Sequence, residues 1–121
     1  MAITFTDREL MIMDILWEEG SATVKEARKR LGEDMPYTSV LSIFQTLEDK
    51  GHISHEREGR AYRYHPLVER QEAGQKALRY VLDRLFKGSP GALVTSLVSE
   101  EEVSEDEMEQ LSRILEERSD D

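Results

Sequence analysis

Two threonines set the pattern of this chain. Thr6 stands three residues before Glu9 and Thr23 three before Glu26, and each pair opens a stretch of helical apolar spacing that a glycine closes. A hydroxyl that accepts from the third helical amide, with a glutamate reaching back to the cap's own N–H, satisfies donors that every helix start leaves free. The first segment carries Leu10, Met13, Ile15, Leu16 and Trp17 as its apolar stripe and stops at Gly20. The second carries Val24, Ala27 and Leu31 and stops at Gly32. Ser21 and Ala22 leave space for only a tight link between them.

Pro36 suits the start of a helix and not its middle, so a third helix is predicted from about Tyr37 to Lys50, with Gly51 as its left-handed cap. Val40, Ile43, Phe44 and Leu47 can bury one side of it. Thr38, Ser42 and Gln45 then point the opposite way, flanked by Ser39 and Thr46. A merely solvated helix face would carry Glu and Lys there; this one carries small hydroxyls and an amide.

In HISHEREGRAYRYHP, Ile53, Tyr62 and Tyr64 alternate with polar residues on either side of Glu58-Gly59, which reads as a β-hairpin. With Glu58-Gly59 as a two-residue turn, Ile53 faces Tyr64, His55 faces Tyr62 and Arg57 faces Arg60. Pro66 ends the ladder. Three helices and a hairpin in this order make a winged helix-turn-helix over residues 1–66. Residues 67–121 are read as a three-helix region. A helix from about Glu69 to Phe86 bears Leu78, Val81, Leu82, Leu85 and Phe86; one after Ser89-Pro90 bears Leu93, Val94, Leu97 and Val98; one capped by Ser104 with Glu107 bears Met108, Leu111, Ile114 and Leu115. So few short helices sit near the lower limit for an independent core, and their stripes are expected to close against a second copy of the chain. The same stripe could line an effector cavity at Phe86, Leu93, Leu97 and Met108, but helical apolar spacing more often means packing, and these residues are assigned to a dimer interface with Leu78, Val81, Leu82, Leu85, Leu111 and Leu115.

The fold class is thus mainly α with a small β-hairpin wing. A length of 121 residues excludes a multidomain enzyme, and the absence of cysteine excludes disulfides, thiolate metal sites and a thiol nucleophile. No run approaches a membrane span, and the opening MAITFTDREL is charged where a secretion signal must be apolar, so a cytoplasmic location with no membrane partner is expected. The net charge is −10. Residues 1–66 hold nine Lys and Arg against twelve Asp and Glu, and residues 67–121 hold seven against fourteen, so the acidity is concentrated in the second half. Such a balance disfavours indiscriminate adhesion to phosphate backbones, and any nucleic-acid role must come from a local basic feature.

That feature is the wing. Arg57 and Arg60 near its tip, with Arg63 on its outer face, are the most concentrated positive charge in the chain and suit phosphate contact, although charged hairpin tips also serve solubility. Thr23 and Lys25 sit where free helix amides can receive a phosphate oxygen, a role that plain capping by Thr23 explains nearly as well. For Thr38, Ser39, Ser42, Gln45 and Thr46 the chemistry is base reading: Gln pairs bidentately with adenine, and a Thr methyl meets a thymine methyl. His52 and His55 lie three apart on one strand and face opposite ways, and His52 with His65 lacks a third ligand, so no metal is expected. Neither a phosphate loop nor a nucleophile motif is present, the acidic stretch from Glu100 reads as a solvated link before a helix start, and neither an enzyme nor a cofactor is expected.

The runs YTSVLSIFQTLEDKGHI, EREGRAYRY and FKGSPGALVTSLVSEEEVSEDEMEQL, joined in this order, resemble the penicillinase-repressor family, the β-lactamase and methicillin-resistance repressors of bacteria, from about Thr6 to Glu116. The resemblance implies a homodimeric transcriptional repressor whose winged helix binds double-stranded, palindromic operator DNA and whose C-terminal helices dimerise. Family members often place a basic residue late in the recognition helix, where this chain has Gln45 and Thr46. In the β-lactamase and methicillin subgroup a sensor protease cuts an Asn-Phe bond, and the matching pair here is Ser96-Leu97. A copper-responsive branch ends in clustered cysteines, which this chain lacks. The rival expectation is a winged helix that docks another polypeptide and binds no DNA.

Overall fold

The computed structural model describes residues 5–32, 34–100 and 102–119. Residues 1–4, part of the opening read above for a leader, and Glu101, part of the acidic link, lie outside them. The order is α1 (Asp7–Glu19), β1 (Ala22–Thr23), α2 (Val24–Arg30), α3 (Tyr37–Asp49), β2 (Ile53–Glu58), β3 (Ala61–Pro66), α4 (Arg70–Leu85), α5 (Pro90–Glu100) and α6 (Glu105–Ser119). By contacts the chain forms two compact units that meet inside α4, at Arg79 and Tyr80.

Both threonine capping boxes form. The Thr6 hydroxyl accepts from the Glu9 amide at 3.1 Å while Glu9 accepts from the Thr6 amide at 2.8 Å, and Thr23 and Glu26 do the same at 3.1 and 3.0 Å. In α1 the buried positions are Glu9, Ile12, Met13, Ile15 and Leu16. Leu10, expected in the stripe, is exposed, and Ile12 takes its place in the core. The core closes when these side chains meet Val24 and Ala27 of α2, Val40, Phe44 and Leu47 of α3, and Ile53 and Tyr64 of the hairpin.

The sheet has three strands in the order β1-β3-β2. Strand β1, which sequence reasoning treated as a tight link, pairs Ala22 with Tyr64 and Thr23 with Arg63. The hairpin register also differs from expectation: Ile53 pairs with Pro66, His55 with Tyr64, Arg57 with Tyr62 and Glu58 with Ala61. The turn is therefore Gly59-Arg60. Its cause is the backbone at Gly59, whose φ of +62° is of the kind that glycine adopts freely. A two-residue turn with glycine at its first central position leaves Glu58 extended and paired. The slip moves each partner by two residues, so every side chain keeps the face assigned to it.

After β3, Trp17 donates through Nε1 to the Val68 carbonyl at 2.8 Å. The Arg70 guanidinium lies 5.0 Å from the Trp17 ring and bridges to Asp14 at 3.0 Å, and Ala73 is buried. These contacts make the first half of α4 part of the N-terminal unit. In the second unit the picture is opposite: α5 has no buried residue, and Leu85, Leu97, Ile114 and Leu115 are all more than half exposed.

Glu9, 4% exposed, also accepts from the Lys50 ammonium at 2.9 Å, tying the start of α1 to the end of α3. Burial pushes its carboxyl up, but the Thr6 amide and Lys50 outweigh that and hold it below the usual carboxylate range. A carboxyl depressed in the fold stabilises above its unfolded pKa, and that stabilisation is lost as pH falls through the lower folded value. Glu9→Gln is expected to cost about 1–2 kcal/mol near neutrality in urea unfolding, as for a charge-assisted bond lost. The gap from wild type should close in acid; a gap unchanged at low pH would show that the charge of Glu9 is not what matters.

Candidate nucleic-acid interface

Because Val40, Phe44 and Leu47 are wholly buried, α3 must turn its other side outward. Thr38, Ser42, Gln45 and Thr46 are exposed and Ser39 is half-buried, so the five residues singled out by sequence share one accessible face. The Thr46 hydroxyl donates to the Ser42 carbonyl at 3.0 Å, which leaves its methyl and its lone pairs outward. No hydrogen bond from the described residues engages the Gln45 side chain, and its amide is free to bind in two-pronged fashion.

Beside this face stand cations of two kinds, and pairing separates them. Away from it, Arg30 is held by Glu18 and Glu19, and Lys50 by Glu9. Arg63, placed by sequence on the outer face of the wing, does lie on that face, but its guanidinium is held by Glu26 at 3.1 Å and Glu58 at 3.0 Å, with Ser21 Oγ at 3.3 Å. Those carboxylates raise its pKa, Glu58 foremost, and in return Arg63 and then the Thr23 amide hold the Glu26 carboxyl below its usual range. By contrast Lys25 and Arg60 are exposed without an ion-pair partner among the described residues, and Arg57 is bonded only to the Gly59 carbonyl at 3.2 Å.

Thr23, Lys25, Gln45 and Arg60 come together around one groove of about 280 Å³, where the start of α2, the outer face of α3 and the wing meet. Thr23 itself is buried and its hydroxyl is engaged as the cap of α2, whereas Lys25 reaches solvent. Of the groove residues that sequence reasoning did not assign to the site, Tyr37 and Tyr62 are each nearly half exposed. The signal was there for Tyr62, which shares the inner face of the hairpin with Arg57, its partner across the ladder.

The histidines do not converge. His52 packs edge-on against Phe5 at 5.0 Å, and burial, then Lys50, lower its pKa; His55 bonds Glu48, and His65 pairs with Ser54. Among the described residues no cluster of His, Asp and Glu offers a metal site, and no helix is long and apolar enough to cross a membrane. Of the positions assigned to a dimer interface, Leu78, Leu85, Leu97, Met108 and Leu115 are exposed, while Val81, Leu82, Phe86, Leu93 and Leu111 are half-buried. Ser96-Leu97 lies in the interior of α5.

The model of the family described as penicillinase repressor matches residues 5–117. The chain belongs to the penicillinase repressor family. A transcriptional regulator of Mycobacterium tuberculosis, BlaI, is 32% identical over 116 residues, covering 90% of this chain and 80% of its own length. The penicillinase repressor of Bacillus licheniformis is 25% identical over 114 residues, 93% of this chain and 89% of its own. Among solved structures, the DNA-binding domain of the repressor BlaI is 25% identical with a TM-score of 0.52, covering 60% of this chain and 93% of that domain.

The two kinds of wing arginine should separate in a stability measurement. Arg63→Ala removes the cation that three partners share and is expected to lower the urea midpoint, whereas Arg60→Ala should stay within about 0.5 kcal/mol of wild type, as for a surface change that breaks no network. Equal midpoints for the two variants would contradict the compensated state of Arg63.

Proposed function

We propose that this chain is a cytoplasmic transcriptional repressor that binds double-stranded operator DNA as a homodimer. The observation that carries the reading is the groove where the hydrogen-bonding face of α3, uncharged from Thr38 to Thr46, meets cations that the fold leaves without carboxylates. In this reading α3 enters the major groove. Gln45, Ser42 and Thr38 meet base edges, with Ser39 and Thr46 at the margin. Lys25 and the start of α2 at Thr23 hold one phosphate strand, and Arg57 and Arg60 hold the other at the wing. Arg63 serves chiefly to brace the wing. The family relatives described as repressors support the same assignment.

Dimerisation rests on the C-terminal helices. They expose Leu78, Leu85, Leu97, Met108 and Leu115, and a groove of about 480 Å³ between α5 and α6 is lined by Val94, Leu97, Val98, Leu111 and Ile114. A second copy covers such a surface with the same residues, since a two-fold interface is self-complementary. Two recognition helices related in this way suit a pseudo-palindromic operator, and occupancy of a promoter represses it. A sensor protease acting at Ser96-Leu97 would first have to unwind α5, because proteases take their substrates extended.

Anisotropy titrations with the promoter DNA of the chain's own gene test the DNA reading. Arg60→Ala should weaken binding to all sequences and reduce the log–log salt slope by about 1, while Gln45→Ala should cost about 1–3 kcal/mol at one base position and leave the slope alone. Absence of saturable binding by the wild type at low salt would overturn the repressor reading and favour a protein-docking winged helix.

Sedimentation equilibrium tests the dimer. The wild type is expected at twice the mass of one chain, and Leu97→Glu should weaken association at least about tenfold by placing an unpaired charge in an apolar contact. A wild type that stays monomeric at high concentration would refute the interface.

A further inference from the structure

The tip of the wing is thinly supported. Residues 56–62 are all exposed, and pairing between β2 and β3 fixes the strands to each other without fixing the tilt of the hairpin on α3. On the outer face Arg63 ties the wing to α2 through Glu26. On the inner face His55 Nδ1 lies 2.5 Å from Glu48 Oε2, and among the described residues this is the one side-chain hydrogen bond that joins the wing strands to α3. Glu48 stands three residues beyond Gln45, on the last turn of the same helix. The His55 ring also completes a stack. Phe44, fully buried, lies 4.7 Å from Tyr64, Tyr64 lies 5.3 Å from His55, and His55 lies 4.4 Å from half-exposed Tyr62. The stack runs from the core under the recognition helix out toward Gly59-Arg60.

We propose that Glu48 and His55 are a positioning pair that sets the direction of the wing relative to α3, and thereby where Arg57 and Arg60 meet the phosphates. The inference rests on the DNA-binding reading above. To donate to the carboxylate Nδ1 must carry a proton, which both the charged ring and the Nδ1–H tautomer of the neutral ring supply. Its effect on binding is indirect: neither side chain needs to touch DNA. A misdirected wing loses phosphate contacts, so the signature is that of Arg60→Ala and not that of a base-reading residue.

The test compares His55→Ala, His55→Asn, Arg60→Ala and the double variant by anisotropy on the promoter duplex across a salt series, with thermal melts to confirm folding. His55→Ala is expected to weaken binding about tenfold and to lower the salt slope by about 1, the effect of losing one phosphate contact. Its effect should be clearly less than additive with that of Arg60→Ala, because Arg60 is one of the two contacts that the pair directs. His55→Asn, whose amide nitrogen can occupy the place of Nδ1, should recover most of the affinity. Additive losses, or an unchanged slope in a folded His55→Ala, would overturn the proposal. A second measurement needs no DNA: the heteronuclear NOE of the Gly59 and Arg60 amides should fall in His55→Ala while the α1 amides keep theirs. If wild type fails to bind duplex, the DNA reading falls, and unaltered tip NOEs would separately show that the pair does not hold the wing.

Discussion

The complete burial of Val40, Phe44 and Leu47 on one side of α3 is the constraint on which the rest depends. A helix with those three residues in the core has no freedom to rotate, so Thr38, Ser42 and Gln45 are presented outward as a consequence of packing and not of any interaction of their own. The same burial sets the hairpin, because Ile53 and Tyr64 close over Phe44 and Leu47 and carry the wing to the edge of the exposed face. A large-to-small change at Phe44 would therefore act at two removes, loosening the core and also the angle between α3 and the wing.

Charge in this chain is informative by its pairing more than by its sum. A net charge of −10 suggests a surface hostile to phosphate. Yet many carboxylates of the N-terminal unit are engaged by particular cations: Glu9 by Lys50, Glu18 and Glu19 by Arg30, Glu26 and Glu58 by Arg63. Around the groove beside α3, Lys25, Arg57 and Arg60 are held by no described carboxylate, and Arg28 on α2 is bonded to the Met35 carbonyl. Local potential falls off within roughly a Debye length of 8–10 Å at moderate salt, so unpaired cations act most on the uncharged part of the face from Thr38 to Thr46, while exposed Asp49 puts one negative charge at its far end.

Much of this was legible in the sequence because the signals were local. A capping box spans four residues, and both threonine boxes formed; the apolar face of α3 is a matter of spacing, and Val40, Phe44 and Leu47 buried as spaced while Ile43 is half-buried. The misses share a cause. Strand β1 is two residues long and has no alternation to read; it exists because β3 offers it an edge. The hairpin register turned on which side of the turn Gly59 occupies, a choice set by backbone torsion. The state of Arg63 depends on Glu26, thirty-seven residues away, and no local pattern reports such a pair. Leu10 and Ile12 exchanged roles in α1 because the core formed with α2, α3 and the hairpin takes in Ile12 and leaves Leu10 exposed.

The second unit presses the argument furthest. Length alone suggested that residues 67–121 would struggle to build a core, and in α5 nothing is buried. The first half of α4 escapes this difficulty by packing on α1 through Trp17 and Arg70, which leaves even less chain to make a core beyond Tyr80. Leaving a Leu or Ile side chain in water forgoes roughly 1.5–3 kcal/mol of burial for each. Helices as short as α5 are marginal on their own in water, where tertiary packing supplies most of the stability of a helix. A stretch with this many exposed apolar residues and no buried residue in α5 gains most from being covered, and under the proposed dimer the same side chains that need cover would, by pairing symmetrically, set two copies of α3 on one duplex.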